Sequence, residues 1–345
     1  MELEKLVRNN IRQLKPYSCA RNEFSGGADV WLDANESPYN APYNRYPDPM
    51  QTELKRLVAK QRGVQPGQVF LGVGSDECID MVYRVFCRPG VDNVVAIEPT
   101  YGMYEVCAAV NDVEYRRAPL GSDFSLDISR IFEQVDARTK VVWICSPNNP
   151  TGNAFPRDAI EAVCAGFSGI VVVDEAYVDF SGRGSMASQL SRYPNLVVLQ
   201  TMSKAWASAA VRLGAAFAST GIVDIFNKVK YPYNINLLTQ RYAIEMLGRR
   251  DEVRAWVAAT LKERERLRLA LGGVRGVERV YPSDANFLLV KIADADAVYA
   301  RLLQQGIVVR NRNRVALCGG CLRLTVGTAE ENDCLIKALS DYGNI

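Results

Sequence analysis

The 345-residue chain contains no histidine. That absence excludes Ser-His-Asp and Cys-His nucleophile pairs and removes the commonest protein ligand of catalytic zinc. Proton transfer must therefore fall to Lys, Tyr, Asp or Glu. An excess of one charge is also lacking: 41 Lys and Arg stand against 39 Asp and Glu, a formal net charge of +2. No long basic stripe is present to neutralise a phosphate backbone, so nucleic acid is not an expected partner. No apolar run approaches the length of a membrane span, and Met1-Glu2-Leu3-Glu4-Lys5 lacks the basic start and apolar stretch of a signal peptide. A cytoplasmic protein is expected. The nine cysteines are odd in number and scattered through apolar segments, as at Cys78, Cys87, Cys107, Cys145 and Cys164. They read as reduced, packed thiols rather than a disulfide framework. Cys318-Gly319-Gly320-Cys321 has redox-pair spacing, but no second cysteine pair or histidine accompanies it, so no metal is expected.

A chain of 345 residues suits a large domain with a smaller partner, each burying its own core. From about Gln68, short apolar runs alternate with segments of helical spacing: Val69-Phe70-Leu71, Val94-Val95-Ala96-Ile97, Val141-Val142-Trp143-Ile144, Ile170-Val171-Val172-Val173 and Leu196-Val197-Val198-Leu199. This alternation predicts an α/β fold with a doubly wound, mainly parallel sheet whose functional loops gather at the strands' carboxyl ends. Beyond a helical stretch from Asp251 to Leu271, strands at Phe287 to Val290, Gly306 to Val309 and Leu322 to Val326 alternate with helices at Ala295 to Leu303 and Glu330 to Leu339. They predict a smaller α+β domain. The expected division is an amino-terminal arm and part of the small domain over 1–45, the large domain over 46–248 and the small carboxyl-terminal domain over 249–345.

Four loops follow those strands. Gly72-Val73-Gly74-Ser75-Asp76-Glu77 leads into a helix whose free N–H groups favour an anion, and Glu77 stands where a dinucleotide fingerprint needs its third glycine. Ser146-Pro147-Asn148-Asn149-Pro150-Thr151-Gly152 reads by itself as a proline-glycine turn, Asp174-Glu175-Ala176-Tyr177 as a helix cap, and Ser203-Lys204 as a solvated lysine at a loop lip. Arg212-Leu213-Gly214 follows eight residues after Lys204.

These loops, with Asp33-Ala34-Asn35-Glu36-Ser37-Pro38, Arg45-Tyr46-Pro47-Asp48-Pro49 and Cys321-Leu322-Arg323-Leu324-Thr325-Val326-Gly327, run in the order of the fold-type I aminotransferases. The chain resembles that group over nearly its whole length, and within it the histidinol-phosphate aminotransferase family. The resemblance implies pyridoxal 5′-phosphate as cofactor, bonded to Lys204, which then carries the proton during amino-group transfer. It implies Asp174 against the cofactor's ring nitrogen, Tyr177 and Asn149 on its phenolic oxygen, and Tyr101 stacked on its face. Ser75, Asp76, Ser203 and Arg212 would hold its phosphate, joined by Tyr46 from the neighbouring subunit of a homodimer. Arg323, Arg310 and Tyr17 would bind the substrates, histidinol phosphate and glutamate or 2-oxoglutarate. The alternation Arg310, Arg312, Arg314 also suits a solvated strand face or loop at its last two members. Trp206, in Ala205-Trp206-Ala207, departs from a stretch that contains glycine in many relatives. An aromatic amino acid aminotransferase and a threonine-phosphate decarboxylase on the same scaffold are the alternative readings.

Overall fold

Runs of branched apolar residues become fully buried strands. The computed structural model describes residues 3–19, 21 and 27–343. Seven strands, β1 (Val69–Val73), β2 (Asn93–Glu98), β3 (Glu114–Pro119), β4 (Thr139–Cys145), β5 (Ile170–Asp174), β6 (Leu196–Thr201) and β7 (Leu213–Phe217), form one sheet in the order β1-β7-β6-β5-β4-β2-β3. The four pairings from β6 through β5, β4 and β2 to β3 are parallel, as a doubly wound sheet requires. Helices cover both faces, so strands such as Ile170-Val171-Val172-Val173 bury every side chain, each worth roughly 1.5–3 kcal/mol against exposure.

Two strands of this sheet had no counterpart in the sequence pattern. β7 reads Leu213-Gly214-Ala215-Ala216-Phe217, without the branched residues that mark a strand, and runs antiparallel between β1 and β6. β3 is a charged edge, Glu114-Tyr115-Arg116-Arg117, whose polarity discourages further pairing.

A second sheet has the order β10-β11-β9-β8, from β8 (Val277–Val280), β9 (Phe287–Ile292), β10 (Arg310–Asn311) and β11 (Cys321–Thr325). The strand expected over 306–309 begins instead at Arg310. Gly306 takes a left-handed φ of 75° after the helix Ala295–Gln304, and pairing starts where Arg310 faces Arg323. The amino-terminal end of the arm packs against the large sheet's layer. Leu3, Leu6, Val7 and Ile11 pack into the core on one face of the large sheet, and the Arg8 guanidinium donates to the Arg84 carbonyl at 2.8 Å. Among the described residues, no helix is long and apolar enough to cross a membrane, and no cluster of Cys, Asp or Glu could hold a metal ion.

Candidate active site

The carboxyl ends of β1, β2, β4, β5 and β6 and the β10–β11 pair meet around a cavity of about 550 Å³. It has three regions: a buried floor, a cationic lip beside the start of a helix, and an arginine wall supplied by the small sheet.

The floor is Asp174, the last residue of β5. Its Oδ2 accepts a 2.6 Å hydrogen bond from the Tyr104 hydroxyl, and its Oδ1 accepts one of 3.1 Å from the Ala176 N–H. Burial pushes its carboxyl above the usual carboxylate range, and these two bonds act in the opposite direction. Tyr104 is held in turn by a buried stack, with its ring 4.8 Å from that of Trp143, which lies 5.4 Å from Tyr83. The Tyr83 hydroxyl donates to the Tyr104 carbonyl at 2.7 Å. A carboxyl group so fixed, lining a cavity and with no ion pair among the described residues, suits a ligand that brings a positively charged N–H.

Lys204 extends over this floor from the loop after β6, its Nζ 5.7 Å from the centre of the Tyr177 ring. Burial, then the charge of Arg323, holds the amine below the ordinary lysine range. It is thus neutral at pH values where an exposed lysine is still charged, and a neutral amine can attack a carbonyl or accept a proton. Trapping of an aromatic aldehyde on Lys204 by borohydride, read by peptide mass against pH, should rise with a midpoint below that of a free lysine, about 10.4. A midpoint at or above that value would refute the assignment.

The lip is built by close backbone approach. Gly74 opens the helix Gly74–Phe86 with φ of 69°, and a Cβ there would lie 2.5 Å from the Arg212 Nη2. A Cβ on Gly214 would come within 2.3 Å of the Gly74 carbonyl carbon. Glycine at both positions lets the Arg212 guanidinium lie across the start of the helix, where free N–H groups already attract an anion. Arg212 Nη2 is 3.3 Å from Asp76 Oδ2, and Nη1 donates to the Ser203 hydroxyl at 3.4 Å. Ser75 lines the same corner. Tyr101 stands beside it, donating to Asp76 Oδ1 at 3.2 Å and meeting Tyr104 edge-on at 5.7 Å.

On the wall, Arg323 of β11 donates to Asn149 Oδ1 and lies 5.2 Å over the Phe287 ring, which meets Tyr177 edge-on at 5.2 Å. Arg310 faces Arg323 across the β10–β11 pair and also lines the cavity. Eleven expected site residues thus come together: Ser75, Asp76, Tyr101, Asn149, Asp174, Tyr177, Ser203, Lys204, Arg212, Arg310 and Arg323. Two do not. Tyr46 stacks on Tyr233 at 4.4 Å beside a separate hollow, and Tyr17 is 75% exposed on the arm.

Four residues of this framework were not foreseen. Tyr104 and Phe287 act through tertiary contacts alone. Buried Asn148 ties the loops after β2 and β4 together, donating to the Pro99 carbonyl at 2.9 Å and accepting from the Thr100 hydroxyl at 2.9 Å. Arg312 lines the cavity, as its two-residue spacing from Arg310 allowed. Trp206 is buried in the core behind the Lys204 loop.

A doubly wound sheet with a lysine and a buried aspartate at the ends of adjacent strands and an anion seat beside them defines a class of enzyme. The chain belongs to the aminotransferase class I and II family, whose pattern it matches over residues 20–339. Within that family it is similar to the histidinol-phosphate aminotransferase of Bacteroides fragilis, being 55% identical over 341 residues that cover 99% of each chain. It has the fold of the histidinol-phosphate aminotransferase of Clostridium acetobutylicum, with a TM-score of 0.81 at 23% identity over 88% of this chain and 91% of that one. The Sinorhizobium meliloti histidinol-phosphate aminotransferase, solved with pyridoxal 5′-phosphate, gives a TM-score of 0.80 at 23% identity over 87% and 83% of the respective chains.

Proposed function

We propose that this chain is a pyridoxal-phosphate-dependent aminotransferase that moves an amino group between L-histidinol phosphate and 2-oxoglutarate, the transamination of histidine biosynthesis. The observation that carries this reading is one cavity joining a depressed lysine, a buried aspartate, an anion-binding helix start and an arginine wall. Full-length similarity at 55% identity to a protein of that name supports the substrate.

The donor set fits the cofactor. The helix start at Ser75 and Asp76, the Ser203 hydroxyl and the Arg212 fork would hold its phosphate, and Tyr101 would cover one face of its ring. Asp174 would accept a hydrogen bond from the ring nitrogen, and Tyr177 and Asn149 would bond its phenolic oxygen. When bound, pyridoxal phosphate supplies an aldehyde that takes up an amino group and a ring that withdraws electrons from the substrate's α-carbon. Lys204 would hold the cofactor and would carry the proton that leaves that carbon. Asp174, buried against the Tyr104 stack, would keep the ring nitrogen protonated. Arg323 and Arg310 orient the substrate by its anionic end, the carboxylate of glutamate or the phosphate of histidinol phosphate. Tyr17, on the exposed arm, would add to the substrate-phosphate contacts.

The working unit in this reading is a cytoplasmic homodimer. Tyr46 and Tyr233 are stacked at the surface on the rim of a hollow of about 490 Å³. From there Tyr46 would reach the partner's cofactor phosphate, so that each site is completed by the other subunit.

The test is the absorbance spectrum of the cofactor-loaded protein before and after L-histidinol phosphate is added alone. Conversion of the pyridoxal band to the pyridoxamine form is expected. An unchanged band, with conversion by free phenylalanine or tyrosine instead, would overturn the substrate, and carbon dioxide release from threonine phosphate would overturn the reaction.

A further inference from the structure

The arginine wall holds more cations than a carboxylate needs. Arg310 and Arg312 alternate along one extended segment, which directs their side chains to the same side, and Arg323 stands opposite Arg310. All three line the cavity. The intervening residues point away: Asn311 and Asn313 donate to the two oxygens of Asp296 on the helix Ala295–Gln304, at 2.6 and 2.9 Å. Backbone bonds lock the segment further, with the Arg312 N–H donating to the Cys321 carbonyl and the Val315 N–H to the Arg312 carbonyl, both at 2.9 Å. Arg312 is therefore placed by a rigid scaffold rather than by a counter-charge.

Among the described residues, no carboxylate pairs with any of the three guanidiniums. Arg323 is held by Asn149 and the Phe287 ring, and the Nε atoms of both Arg312 and Arg323 are buried without a hydrogen-bond partner. Burial and the neighbouring Arg310 charge both work against the charged form of Arg312. Three like charges, two of them with a buried and unused donor, suit an anion. A carboxylate brings one negative charge and two oxygens, which a single fork satisfies. A phosphate monoester brings about −1.5 to −2 near neutral pH and three acceptor oxygens.

We propose that Arg312 is a specificity-determining residue that completes a three-guanidinium seat for the phosphate monoester of the substrate, and that a substrate carboxylate makes little use of it. The proposal rests on the reading of this cavity as an aminotransferase site and adds to it the means by which one wall serves two anions. Arg323 takes part with both, whereas Arg312 engages only the anion with charge and oxygens to spare.

The test uses the cofactor-loaded protein, in which the cofactor's own phosphate seat is filled, and titrates it with inorganic phosphate and with acetate. Binding is read by thermal midpoint and by competition with glutamate. Arg312→Gln should weaken inorganic phosphate by on the order of tenfold to a hundredfold, the effect of one charge-assisted bonded pair, and acetate by at most about threefold. Arg312→Lys should recover part of the phosphate affinity, because it keeps the charge but loses the fork, and it carries the test where the glutamine variant does not fold. Equal losses for the two anions, or none for phosphate, would overturn the proposal. Turnover of histidinol phosphate by the unaltered protein is scored separately. Its absence alongside unequal losses of the two anions in the variant refutes the substrate and leaves Arg312 as the phosphate selector, whereas turnover with equal losses in the variant refutes Arg312 alone.

Discussion

Lys204→Ala should abolish turnover, lowering it by more than about 10⁴-fold, the upper range for removal of one acid–base group, before the lost covalent attachment is counted. The purified variant should also lack the near-visible absorbance of lysine-bound cofactor. Folding is not expected to confound the result. The lysine is depressed because its charged form is poorly accommodated, so truncation removes a desolvated amine rather than a structural tie. The thermal midpoint of the cofactor-free variant should equal or exceed that of the unaltered protein. A variant that kept the absorbance band, or turned over within tenfold of the parent, would exclude Lys204 as the attachment point.

Arg323→Ala should weaken glutamate and histidinol phosphate together, each losing on the order of 10²- to 10³-fold in kcat/KM. Two charge-assisted hydrogen bonds from one fork contribute about 3–4 kcal/mol, and each 1.4 kcal/mol is tenfold. The loss extends beyond the substrate. Asn149 loses its guanidinium donor, and the ring of Phe287, which supports Tyr177, loses its cover. Steady-state kinetics with both donors checks this, and an effect confined to glutamate would mean that the phosphate is held elsewhere. Set beside Arg312→Gln, it separates a residue common to both substrates from one that selects between them.

Sequence carries those parts of the site that lie next to a recognisable strand. The positions of Asp174 and Lys204 are legible because Ile170-Val171-Val172-Val173 and Leu196-Val197-Val198-Leu199 read as buried strands, and the residues after such strands stand at the lip of the sheet, whereas their roles came from the resemblance. β7 escapes because glycine and alanine replace branched residues, and the reason is visible only in space: Gly214 must lie against the backbone of Gly74. Tyr104 escapes for a similar reason. Its position near the start of the helix Met103–Val110 is ordinary, and its role depends on Asp174, which arrives seventy residues later. The segment 306–309 shows the opposite error, an apolar run taken for a strand although the paired residues are the polar ones beyond it.

The reversed strand β7 bears on how the chain comes to hold its cofactor. β6 and β7 form a local hairpin, so Lys204 and Arg212 are brought close by neighbouring sequence at small entropic cost. The helix start at Gly74 lies more than a hundred residues earlier and joins them only when β1 closes onto β7, a seam marked by the 2.8 Å bond from the Gly74 N–H to the Arg212 carbonyl. A phosphate held between Ser75 and Arg212, as proposed, would span that seam and bridge the least local pairing in the sheet. The cofactor would then act as a latch as well as a reagent, resisting the parting of β1 from β7 by an amount that grows with the logarithm of its free concentration.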